Sequence, residues 1–224
     1  MSQRTDLGRL RECARLAALL VLAAGVAPAV YADGAANCDT FTKLDSKASS
    51  PLEGSAPAGP QSGCRTQLKN GYPVPDPQCT PGAINPTLTV DVLRDPAFRT
   101  TCVRDNATSA GQKATTYGSY NIAHPQHNQG VMQSCELDHL VSLELGGADT
   151  LDNIWPQCGP AGVVLRERYF KQKDMVENYL ASQVRQGLIK LKDAQDGIAG
   201  DWTQYLDAAT KACGSGKCRT QPSQ

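Results

Sequence analysis

The chain has 224 residues, with 22 Lys or Arg balanced by 22 Asp or Glu. Its length, 20% charged content and mean hydropathy of -0.38 suit one globular domain with a real core. Zero formal net charge argues against a protein that coats nucleic acid by charge alone, since phosphate neutralisation drives non-specific affinity.

Residues 1–32 combine Arg4, Arg9, Arg11 and Arg15 with an apolar run from Leu16 to Val30 and a small-x-small end at Val30-Tyr31-Ala32. This is the pattern of a cleaved signal peptide, its apolar run short of the ~20 residues a membrane span needs. The expected product is secreted or periplasmic, with no stable membrane span after cleavage. The signal takes four arginines, Asp6 and Glu12 with it, leaving 18 basic and 20 acidic residues and a net charge of -2. Any contact with nucleic acid must then be local.

Nine cysteines are present, and Cys13 lies in the signal. The remaining eight read as four disulfides in an oxidising compartment. Pairing sequence neighbours gives Cys38 with Cys64, Cys79 with Cys102, Cys135 with Cys158 and Cys213 with Cys218. The third pair would join the two open ends of a hairpin.

Residues 33–70 are rich in Ala, Ser, Gly and Pro and read as a flexible low-complexity segment. Residues 71–212 form the expected domain. It opens with a turn-rich stretch punctuated by Pro73, Pro75, Pro77, Pro81 and Pro86, then a short apolar patch from Leu88 to Leu93. With Cys102 this makes a disulfide-stapled irregular lobe. Asn106-Ala107-Thr108 matches a glycosylation acceptor. His124 and His127 have H-x-x-H spacing, but Pro125 breaks a helix between them, and surface-loop histidines are the expectation.

Most of the chemistry lies between Cys135 and Cys158, in CELDHLVSLELGGADTLDNIWPQC. The stretch reads as strand, wide loop, strand. In an ideal strand Leu137, His139, Val141 and Leu143 share one face, and Glu136, Asp138, Leu140 and Ser142 the other, so Asp138 and His139 point apart. A common task for both requires a bend.

After Gly159-Pro160 a long helix is expected to start near Ala161 to Val164, with Leu165, Tyr169, Val176, Leu180 and Val184 as its apolar stripe, ending before Gly187. On a wheel of about 100° per residue centred on Val176, Lys173 falls at about 60° and Glu177 at about 100°, bordering the buried face. Asp174 and Asn178 fall at about 160° and about 200°. Arg166, Arg168 and Lys171 give the helix a basic opening, a footing for phosphates. A second, packing helix is suggested by Leu191, Ala194, Ile198, Trp202 and Leu206. Residues 213–224 read as a looped C-terminal tail.

Glu136-Leu137-Asp138-His139-Leu140-Val141, Leu143-Glu144-Leu145-Gly146-Gly147 and Asn153-Ile154-Trp155-Pro156-Gln157 together resemble a secreted bacterial branch of the HNH (His-Me finger, ββα-metal) endonucleases. The likeness continues through Lys173-Asp174, Glu177-Asn178, Ala194-Gln195 and Asp201-Trp202, about half the chain. Ser142 departs from the pattern, which usually has Pro there. No C-x-x-C pair flanks the stretch, so a structural zinc is not expected.

The resemblance implies an α+β fold, a ββα-metal finger over residues 135–186. It implies an endonuclease hydrolysing phosphodiester bonds in DNA or RNA with little sequence specificity. Hard oxygen ligands suit a magnesium or manganese ion, and a histidine is the natural base near neutral pH. Asp138 is then the expected metal ligand and His139 the expected base, with Asn153 orienting the base. Glu177 is the expected second ligand with Asn178 as its competitor, and Lys173 would stabilise charge on the phosphate. The alternatives are a non-catalytic polyanion-binding module and a disulfide-stapled structural protein. Zinc proteolysis is disfavoured because H-E-x-x-H is missing.

Overall fold

Alternation of apolar and polar residues from Cys135 sets up the strand pair on which the rest of the domain is built. The computed structural model describes residues 38–55, 62–104, 110–214 and 218. The expected signal peptide and the Asn106-Ala107-Thr108 acceptor lie outside the described residues.

The fold is α+β, with three small antiparallel sheets and five helices among the described residues. β1 (Ser50–Pro51) pairs with β4 (Ala83–Ile84), and β2 (Gln67–Lys69) with β3 (Tyr72–Val74). β5 (Cys135–His139) pairs with β6 (Ile154–Cys158), Cys135 facing Cys158 and His139 facing Ile154. The helices are α1 (Val90–Arg94), α2 (Ala110–Ser119), α3 (Tyr169–Arg185), α4 (Leu191–Asp201) and α5 (Leu206–Gly214). None of the described helices is long and apolar enough to cross a membrane.

The long helix starts later than the sequence suggests. Gly159 and Gly162 take positive φ values of 85° and 76°, outside the helical region, and a 3-10 turn at Leu165–Glu167 precedes α3. Its far end matches expectation, with Gly187 at φ 74° just past the Gln186 cap. The expected second helix is two helices. At Asp201 the backbone leaves the helical region, and its side chain accepts a hydrogen bond from the Thr203 N–H, opening a 3-10 turn before α5. α5 carries the chain through Cys213 to Gly214, into what the sequence presents as tail.

The main core joins Val176, Leu180, Ala181 and Val184 of α3 to Ala194 and Ile198 of α4, Trp202, Ala209 of α5, and Val141 and Leu145 from the β5–β6 connection. Leu52 is part of this core, although it lies in the low-complexity segment. A second cluster sets Tyr120 and the Cys64 and Cys79 side chains against Leu140 and Trp155. A third packs Leu88, Leu93, Phe98 and Val103 against Leu143. The hairpin connection is thus gripped from three sides.

Four disulfides fit an extracellular protein. Cys135–Cys158 and Cys213–Cys218 pair as neighbours, as expected. The expected Cys38–Cys64 and Cys79–Cys102 pairs do not form: Cys64 joins Cys79, also its neighbour, and Cys38 joins Cys102 around them. The reason is the β2–β3 hairpin, which folds residues 67–74 back on themselves and returns Cys79 to Cys64. Cys38 then meets the 3-10 turn at Thr100–Val103, where Phe41 also packs edge-on against Phe98 at 5.9 Å.

Candidate functional site

A cavity of about 280 Å³ opens between β5, α3 and the 3-10 turns at Thr100–Val103 and Leu143–Leu145. Glu136, Asp138, His139, Ser142, Asp174 and Glu177 all face it. The bend required for Asp138 and His139 to share a site is present. β5 stops at His139, after which the Asn153 side chain takes over the pairing: its Oδ1 accepts the Val141 N–H at 3.0 Å, and its Nδ2 donates to the Val141 and Ala148 carbonyls at 2.9 and 2.8 Å. Asn153 therefore fixes the loop that follows the base candidate, and none of these bonds goes to the imidazole itself.

The imidazole is held by a residue that sequence reasoning missed. His139 Nε2 lies 2.8 Å from Asp149 Oδ1, and Lys113 Nζ on α2 lies 2.6 Å from Asp149 Oδ2. The Asp149 side chain is fully buried, and that of His139 is 13% exposed. Burial opposes the Asp149 charge, but His139 and Lys113 outweigh it and hold its pKa well below the usual carboxylate range. An ionised Asp149 accepts an N–H from Nε2, which leaves the Nδ1 lone pair as the basic position. Burial lowers the His139 pKa and favours this neutral ring, against the pull of Asp149 and Asp138.

Asp138 faces Trp155 across the hairpin, and its Oδ2 accepts the indole N–H at 3.0 Å. The same oxygen lies 2.8 Å from Lys173 Nζ. Lys173 also donates to Glu177 Oε1 at 2.6 Å and to the His139 carbonyl at 2.7 Å. Two residues back, Lys171 repeats the motif, 2.7 Å from Asp174 and 3.6 Å from Glu136. The spacing is geometric: Glu136 and Asp138 are two apart on one strand face, and each lysine bridges one of them to a helical carboxylate three or four residues ahead.

Lys173, expected to stabilise charge on the phosphate, is engaged within the protein in this structure. Its side chain is fully buried, and three acceptors consume its three N–H donors, so no donor remains for a phosphate. Burial opposes its charge, but Asp138 and Glu177 more than offset this and raise its pKa above the ordinary lysine value. Asp174 and Asn178, far round the helix on the wheel, line the cavity, because the cavity sits on the flank of α3 beyond Glu177. Asn178 Nδ2 donates to the Asp174 carbonyl at 2.8 Å. Of the expected basic opening, only Lys171 reaches the cavity. Arg166 is exposed beside Glu167, and Arg168 donates to the Pro160 carbonyl. Both loop histidines are exposed, with His124 edge-on to Tyr117 at 4.8 Å.

Two ammonium groups do not balance the four carboxylates they bridge. Burial, aided by Asp174, pushes Glu136 up to about 7, and burial raises Asp138 and lifts Glu177 well above the usual range. Hard carboxylate oxygens with surplus negative charge suit a divalent cation in donor chemistry. The midpoint between Asp138 and Glu177, however, is filled by the Lys173 ammonium. Among the described residues no three His, Cys, Asp or Glu side chains stand together closely enough to hold a metal ion. Both hydrogen bonds to Asp138 fall on Oδ2, so its Oδ1 carries neither.

Comparison with protein-family models, with curated proteins and with solved structures found no match for this chain.

Proposed function

We propose that the chain is an exported, metal-dependent endonuclease of the HNH type, in which residues 135–186 form a ββα-metal finger. The observation that carries this reading is an imidazole oriented by a buried carboxylate on the wall of a cavity rich in further carboxylates. His139 takes a proton from the attacking water at Nδ1 while Asp149 holds the opposite nitrogen. Asn153 keeps the chain bent after His139, so that the ring and Asp138 serve one cavity. Asp138 and Glu177, supported by Glu136 and Asp174, would hold a magnesium or manganese ion on the cavity side of the lysine bridges. Such an ion supplies Lewis-acid stabilisation of charge on the phosphate. Lys173 acts by positioning Asp138, Glu177 and the His139 backbone. No base-reading element stands out in the sequence, which favours DNA or RNA cleavage with little sequence specificity.

The test is incubation of the oxidised protein with plasmid DNA and with RNA, with magnesium, manganese or a chelator. Cleavage that needs the metal supports the reading, and intact nucleic acid with either metal ends it. The Lys173 ammonium between Asp138 and Glu177 favours a second reading, in which the carboxylates serve ion pairs alone and the cavity only binds polyanions. Retention of an oligonucleotide without cleavage would select it.

A further inference from the structure

The cavity is also lined by side chains that take no part in the lysine bridges. Thr100 and Arg104 reach it from the 3-10 turn that ends the Cys38–Cys102 loop, and Ser142 from the turn after β5. Ser142 is only 3% exposed, and its Oγ is buried without a hydrogen-bond partner. A buried hydroxyl left unpaired costs stability, a cost that a bound acceptor would relieve. Its φ of -65° is one that proline also adopts, so this turn does not depend on a serine backbone. The hydroxyl is thus the part of Ser142 that lacks a structural account.

The Arg104 guanidinium and the Thr100 hydroxyl line the same cavity as donors, together with the carboxylates of Glu136, Asp138, Glu144, Asp174 and Glu177. A ligand filling such a cavity presents anionic oxygen to the donors and tolerates, or brings, a cation at the carboxylates. A phosphodiester with its counter-ion has that character. We infer that Thr100, Arg104 and Ser142 form a phosphate subsite that takes a non-bridging oxygen of a nucleic-acid strand. Arg104 supplies the charge, and the hydroxyls of Ser142 and Thr100 fix the oxygen's place beside the His139 ring. This deepens the proposed nuclease reading and rests on it for the choice of a nucleic acid over a free phosphate ion.

The experiment measures binding to the full oxidised chain, with chelator present so that no cleavage occurs. The probes are a fluorescent single-stranded 12-residue oligodeoxynucleotide and inorganic phosphate. Ser142→Ala and Ser142→Pro are expected to weaken oligonucleotide binding roughly tenfold, as loss of a hydrogen bond to a charged acceptor does. Their thermal midpoints should be equal to or above wild type, which separates lost binding from lost folding. Arg104→Gln is expected to weaken binding further and to lower the slope of log affinity against log salt by about 0.7. Binding of both Ser142 variants and Arg104→Gln at wild-type strength overturns the subsite, as does inorganic phosphate binding with no oligonucleotide binding. A chain that binds through Arg104 and Ser142 yet never cleaves keeps the subsite and loses the nuclease reading. One that cleaves while these variants bind normally does the reverse.

Discussion

The imidazole of His139 and the carboxylate of Asp149 lie 2.8 Å apart, and Lys113 occupies the second oxygen of that carboxylate at 2.6 Å. Asp149→Asn preserves size but removes the charge that selects the Nε2–H tautomer. We expect kcat for phosphodiester cleavage to fall by about 10²-fold or more with KM little changed, as for other histidine bases robbed of their orienting acid. Steady-state kinetics on plasmid DNA check this. Wild-type turnover in Asp149→Asn would remove His139 from the base role.

Lys173→Met should be among the most destabilising single changes. It leaves Asp138 and Glu177 facing each other across a buried site without their shared cation. Breaking a buried pair from one side costs about 3–5 kcal/mol, which urea denaturation measures through the midpoint. Normal stability with lost cleavage would instead place the ammonium on the phosphate.

The Cys38–Cys102 bridge closes a loop with a sequence separation of 64, and Cys64–Cys79 one of 15. On the loop-entropy account the first contributes about 4 kcal/mol and the second about 3 kcal/mol. Non-reducing peptide mapping should recover these pairs, and a Cys38→Ser, Cys102→Ser double variant should lose stability on that scale. Recovery of Cys38–Cys64 and Cys79–Cys102 peptides would contradict the lobe's wrapping.

Gly147→Ala should damage both fold and activity. An added Cβ would land on the Val141 carbonyl, backbone that cannot give way, in the loop that leads to Asp149. Gly118→Ala, where a Cβ meets nothing and which sits within α2, is the contrasting control and should be neutral or mildly stabilising. Thermal melts of the two variants make the comparison.

What the sequence revealed was local. Period-two patterning pointed to β5 and a short apolar run to β6, with the cysteines at their open ends, and the stripe at Val176, Leu180 and Val184 marks the buried face of α3. Asp138, His139 and Glu177 do meet at one cavity. The partners that define their chemistry were not legible, because they come from distant or patternless segments. Asp149 follows a glycine loop with no periodicity, and Lys113 is 36 residues away from it on a separate helix. Lys173 read as the border of a core, but a wheel cannot show that a strand carboxylate, a helix carboxylate and a carbonyl will claim all its donors. The nested Cys38–Cys102 and Cys64–Cys79 disulfides depend on the β2–β3 hairpin, whose three-residue strands carry too little pattern to be read. Ser142 stands out in the sequence only as a departure from the HNH-like pattern, and its unpaired hydroxyl depends on tertiary packing that no local pattern carries.

The most direct measurement of the central claim is the initial rate of supercoiled plasmid nicking in magnesium by wild type and by His139→Ala, both oxidised and matched for thermal stability. The account predicts measurable nicking by wild type and a loss of about 10²-fold or more in the variant. Equal rates, or no nicking by the wild-type chain, would contradict it.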